Sequence, residues 1–160
     1  MIGEAIVPPA TERSLLLRRV SVTEKDHLFR QVEQLGFAFA RIRELILGGE
    51  LALARTGLRQ LAGQTGVDLE VLGVLAPESL LQVMMGSGEG NLEKLIPAVE
   101  VLFLKGELEE SVGQVGRSSQ SYAKAALLAR QVRAGLGEGA DPALKARLEE
   151  VFRMIDERTP

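Results

Sequence analysis

Apolar residues recur along most of this chain at helical spacing. In residues 24–47, Leu28, Val32, Leu35, Phe39, Ile42 and Ile46 follow one another at intervals of 4, 3, 4, 3 and 4. That is one stripe along a helix of about six turns. Thr23 is its candidate cap, and Glu24 and Asp26 suit the positive end of the helix dipole. Gly48-Gly49 should stop it. A second apolar set, Phe29, Phe37, Ala40 and Leu47, falls on adjoining faces of the same helix. So wide an apolar surface predicts a helix covered from two sides.

The same spacing continues downstream. Residues 50–64 read as a helix with Leu51, Ala54, Leu58 and Leu61 inward, and shorter helical pieces follow at 68–75 and 78–85, separated by Pro77. Asn91 can cap a helix over 92–105, whose stripe is Leu92, Leu95, Ile96, Val99, Leu102 and Phe103. Pro97 lies off that stripe on a helical wheel, which predicts a kink on the solvent side. Residues 107–115 are weakly helical in pattern. The helix over 117–134 has an inner face of small residues and one ring: Ser118, Tyr122, Ala125, Ala129 and Val132. Asp141 and Pro142 occupy preferred cap and first-turn places of a last helix, with Leu144, Leu148, Val151 and Ile155 inward and Phe152 beside them.

No segment alternates with period two over a useful length, so the fold class is all-α, built of antiparallel helix pairs joined by short connections. Residues 1–22 are a poorly patterned arm, stiffened by Pro8-Pro9 and carrying Leu15-Leu16-Leu17 beside Arg18-Arg19; residues 23–158 form one helical domain.

Composition mainly excludes. There is no Cys and one His, which removes disulfides, thiol catalysis and Cys-based zinc sites. Aromatics are 4% with no Trp, and the net charge is −3, so the chain offers neither a stacking platform nor a basic field for nucleic acid. No apolar run approaches the ~20 residues that span a bilayer. The first residues carry no basic region and no long apolar core, so a secretory signal is not expected and a cytoplasmic location is the default.

Two stretches resemble one another. In the first, helix 24–47 meets Gly48-Gly49-Glu50-Leu51-Ala52-Leu53-Ala54 and a second helix. In the second, helix 92–105 leads through Gly106, Gly113 and Gly116 to the Ala-rich helix with Tyr122-Ala123. Both resemble tetratricopeptide-like (TPR-like) helix-turn-helix units, and so predict a short α-solenoid. With the opening Leu28-Phe29-Arg30-Gln31-Val32-Glu33-Gln34-Leu35-Gly36, residues 24–158 resemble a family of uncharacterised bacterial all-helical proteins of that architecture. The resemblance implies a fold and supplies no activity.

Groupings with chemical potential are few. Gly86-Ser87-Gly88-Glu89-Gly90 looks like a phosphate loop but lacks a preceding strand, and Glu89 would repel phosphate. Ser121 and Lys124 have the spacing of a serine acyl-enzyme without its companion motifs. His27 stands alone, with no second cluster of metal ligands. Residues 60–75 match the small, turn and apolar places of a DNA-binding helix-turn-helix through Ala62, Gly66 and Leu72. Its second helix would carry Asp68 and Glu70 and no base-reading cation. Arg117, Lys124, Arg130 and Arg133 are a candidate basic rim for an acidic peptide. The expected protein is therefore non-enzymatic, without cofactor or metal. It would be a protein–protein interaction or scaffold module that forms a homodimer, with Phe29, Phe37, Ala40 and Leu47 as candidate interface. A small-ligand-binding helical protein is the alternative; binding to nucleic acid or to a membrane is not expected.

Overall fold

The computed structural model describes residues 30–31, 33–85, 92–136 and 142–159, and every element among them is helical. We number seven helices: α1 (helical at 30–31 and over 33–47), α2 (Leu51–Thr65), α3 (Leu69–Val74), α4 (Pro77–Met85), α5 (Leu92–Ser111), α6 (Val115–Leu136) and α7 (Pro142–Arg158). The arm 1–22, the cap at Thr23, Leu28 and Val32 of the first stripe, the caps Asn91 and Asp141, and the glycine loop 86–90 lie outside the described residues.

Helix α1 ends as its sequence requires. Gly49 takes φ +78°, which a residue with a Cβ rarely adopts. The turned-back backbone then satisfies the last carbonyls: Gly49 N donates to Ile46 O at 3.1 Å and Glu50 N to Leu45 O at 2.9 Å. The end of α5 repeats this pattern bond for bond. Gly113 sits at φ +83°, with Gly113 N donating to Glu110 O and Gln114 N to Glu109 O. Between α2 and α3, Asp68 caps by accepting from Glu70 N at 2.9 Å and Val71 N at 3.3 Å.

Helix α5 is the centre of the molecule. All positions from Leu95 to Leu104 are buried, so the helix is covered on every side, as continuous rather than striped burial requires. It packs most extensively on α6 and also on α2; α6 in turn packs on α4 and α7. Two expectations are corrected here. Pro97 is buried, not on a solvent-side kink, because α5 has no solvent side at that level. The helix also does not weaken after residue 105 but runs unbroken to Ser111. Gly106 lies inside it, where a Cβ would stand 2.6 Å from Cε1 of Tyr122; the glycine is there to admit the ring from α6, not to make a turn. Gly116 likewise lies within α6.

Contacts fix the directions of the helices. Phe39 of α1 stacks on Phe103 of α5 with centroids 5.7 Å apart, and Arg43 pairs with Glu107 at 3.0 Å. Both pairs are 64 residues apart and they lie one turn from each other, so α1 and α5 run parallel in register. Arg147 and Arg158 of α7 meet Glu100 and Glu107 in ascending order, so α7 runs the same way. Helix α6 opposes them: its Ser121 and Tyr122 bond Glu109 and Glu110, and its Gly135 faces Leu92 at the other end of α5.

Candidate functional site

A row of carboxylates on the buried helix organises the polar chemistry. Glu100 is fully buried; Arg147 Nη2 donates to its Oε1 at 3.2 Å, and its Oε2 has no partner among the described residues. Burial pushes its pKa up to about 7, against the opposing pull of Arg147. Further along α5, Glu107 accepts from Arg43 Nε at 3.0 Å and from Arg158 Nη2 at 3.3 Å. Burial raises its pKa too, and the two guanidinium groups hold it down. Both cations also lie over the ring of Phe103, Arg158 at 5.0 Å and Arg43 at 5.8 Å. Tyr122 donates to Glu110 Oε2 at 2.7 Å, and its pKa is raised by burial and by that bond.

Glu109 belongs to a separate group. Ser121 donates to its Oε1 at 2.5 Å and Lys105 Nζ to its Oε2 at 2.9 Å. Beside them Lys124 is buried and donates to Leu72 O at 2.7 Å and Gly73 O at 3.3 Å. A lysine on α6 thereby closes the C-terminal end of the six-residue helix α3. Its pKa is lowered by desolvation first and by the charge of Lys105 second.

The outer side of α1 is different in character. Phe37 is 77% exposed and Leu47 73%, with Ala40 exposed between them. A groove runs between this side of α1 and α7. One half, about 390 Å³, is lined by Gly36, Phe37, Ala40, Ala143 and Leu144; the other, about 320 Å³, by Phe39, Leu47 and Met154. Arg147 forms part of both halves. A Cβ on Gly36 would lie 2.9 Å from its Nε, so the guanidinium that pairs with Glu100 passes close against the α1 backbone at this glycine.

The candidate residues from the sequence are placed as follows. Phe37, Ala40 and Leu47 share the exposed side of α1; Phe29 lies outside the described residues. The four cations do not form one rim. Lys124 is buried against α3. Arg133 turns to α7, where it lies over Phe152 at 4.6 Å and meets Asp156 at 3.1 Å and Glu149 at 3.8 Å. Arg117 and Arg130 are exposed. The positions of the four cations alone divide them between two sides of the helix, and in the fold Lys124 packs on α3 while Arg133, still exposed, pairs with α7. Ser121 and Lys124 do not bond one another; each is aimed at a different helix. In the 60–75 unit, Ala62 and Leu72 are buried and Gly66 makes the turn at φ +72°, while Asp68 is taken up by its cap. His27 and the glycine loop lie outside the described residues.

The sequence reading leaves Glu100 unremarked and takes Glu107 and Glu109 for surface residues, whereas all three are buried. Glu100 carries a signal, a lone acid in the apolar run 95–104, but the arginines that meet Glu100 and Glu107 lie 47 to 64 residues away and leave no local pattern. Among the described residues no cluster of three His, Asp or Glu could hold a metal, and no helix is long and apolar enough to cross a membrane. Comparison of the chain with protein-family models, with curated proteins and with solved structures finds no significant match.

Proposed function

We propose that this protein is a non-enzymatic interaction module, a short TPR-like helical repeat that associates with a second copy of itself through the outer side of α1. The exposure of Phe37 carries the self-association. A phenylalanine 77% open to water, with Ala40 and Leu47 beside it, is an apolar surface that gains by being covered.

Repeat architecture is supported by the two matching units α1–α2 and α5–α6. They are offset by 64 residues, end their first helices in the same hydrogen-bonded glycine turn, and lay those first helices side by side in one direction. Parallel stacking of like helices is how a solenoid extends a face. The inserted α3 and α4 separate the two units.

A two-fold contact lets one patch cover its own copy. If α1 crosses its symmetry mate antiparallel with Phe37 at the axis, residues equidistant from Phe37 oppose one another. Arg30 then faces the mate's Glu44, and Glu33 faces the mate's Arg41; all four are exposed. The surface is thus complementary to itself in charge as well as in apolar character.

Light scattering tests it. A dimeric mass at micromolar concentration is expected for the native chain. Phe37→Glu should give monomers with unchanged helical circular dichroism and melting, because the side chain contributes little to the fold. A monomeric native chain overturns the self-association; a dimeric Phe37→Glu variant moves the interface elsewhere.

A further inference from the structure

Between α3, α5 and α6 lies a polar cavity of about 360 Å³, lined by Gly73 and Val74, by Lys105 and Glu109, and by Arg117 and Lys124. Three cations meet here in a chain whose net charge is −3. Their acids do not balance them. Glu109 is engaged by Lys105 and by the Ser121 hydroxyl. Lys124 donates to carbonyl oxygens, which use two of its three N–H donors, and the Glu109 carboxylate attracts it without a hydrogen bond. Arg117 is exposed and makes no ion pair among the described residues; neither does Glu70, the remaining acid of the lining. The cavity therefore carries three positive charges against two negative.

The two ammonium groups repel one another, and Lys124 holds its charge at a cost from desolvation as well. An isolated structural lysine would relieve that cost by turning to solvent. Here the fold keeps Lys124 in place with the C-terminal carbonyls of α3, and the Lys105 ammonium lies beside Gly73, 3.9 Å from where a Cβ on that residue would stand. Converging donors with unresolved like charge at the wall of a cavity are the arrangement that an anion completes. Arg117, an exposed residue of the lining, adds a planar fork suited to two oxygens of one group.

We propose that this cavity binds a small oxyanion, the phosphate or carboxylate group of a low-molecular-weight ligand, held by Lys105, Lys124 and Arg117. The anion accepts the N–H of Lys124 not given to the α3 carbonyls, the N–H of Lys105 not given to Glu109 or, at 3.5 Å, to Ser121 Oγ, and the fork of Arg117. Ser121 donates its hydroxyl hydrogen bond to Glu109 and so offers the anion no donor. None of the α1 residues of the self-association surface lines the cavity, so the two proposals stand or fall separately.

The test is a titration with inorganic phosphate and, separately, succinate, at constant ionic strength, followed by backbone amide chemical shifts. Saturable shifts are expected at Gly73, Lys105 and Ser121. Tighter binding of phosphate assigns a phosphorylated ligand; tighter binding of succinate assigns a carboxylate. Arg117→Gln should weaken the response by about tenfold, the worth of one charged hydrogen-bonding partner. Arg130→Gln removes the same charge from the same helix outside the cavity and should leave it within about twofold. Shifts that stay linear into tens of millimolar for both anions overturn the proposal. So does an equal loss in the two variants, which would mark general attraction to a cationic helix.

Discussion

Glu100 shows how one residue can set a property of the whole fold. Its folded pKa, about 7, lies above the 4.5 of an ordinary glutamate. Between those values the folded chain holds a proton that the unfolded chain has lost. Stability from this group is therefore full below pH 4.5, falls as pH rises through the window, and is lost above pH 7, by up to about 3 kcal/mol. Glu107 is shifted in the same direction and adds to the fall. Glu100→Gln carries no charge to bury. Urea unfolding at pH 5 and pH 8 should show the native chain losing more stability across that interval than the variant, by about 1–3 kcal/mol. Equal losses would mean that Glu100 titrates as an exposed carboxylate does.

At the scale of elements, the contact between α5 and α6 depends on close approach at particular glycines. A Cβ at Gly106 would meet three atoms of the Tyr122 ring, at 2.6, 2.8 and 3.0 Å. The ring cannot easily yield, since Glu110 holds its hydroxyl and Phe103 lies beside it at 5.7 Å. Gly63 in α2 has open space where its Cβ would be. Both substitutions to alanine gain helix propensity, roughly 1 kcal/mol. Gly63→Ala should keep that gain and stabilise the protein. Gly106→Ala should lose it to overpacking and destabilise by about 1–3 kcal/mol net. Opposite signs in chemical denaturation check the pair; a stabilised Gly106→Ala would mean that α5 and α6 can separate without penalty.

For the molecule as a whole, the proposed antiparallel register of α1 against its symmetry mate is open to charge reversal. Arg41→Glu would set one carboxylate against another, the mate's Glu33, twice in a dimer by symmetry. Exposed pairs are worth little each, so the dimer should weaken by about three- to tenfold at low salt and less at high salt. Adding Glu33→Arg exchanges the partners and should restore the native affinity. Sedimentation of the three proteins decides it. A double variant no tighter than Arg41→Glu alone would discard this register, while leaving open an interface centred on Phe37 in another orientation.

The sequence by itself determined the helices. Leu35, Phe39, Ile42 and Ile46, the small stripe of α6 and the stripe of α7 are all buried as their spacing requires, because helical periodicity is a local property that a few turns of chain reveal. It also set Phe37, Ala40 and Leu47 apart from the main stripe and expected a second layer over them, whereas within the single chain they are exposed. What only the tertiary structure decided is which helix lies innermost. With α5 covered on all sides, Pro97 is buried, Gly106 becomes a seat for a ring, and three glutamates are drawn inward, two of them to meet arginines from α1 and α7. Among the basic residues of α6, Lys124 is covered by α3, whereas Arg133 pairs with α7 at the surface and Arg117 stays exposed in the lining of a cavity. For Glu100, Glu107 and Lys124 the partners of the buried charge lie 47 to 64 residues away, and no window of local sequence contains them.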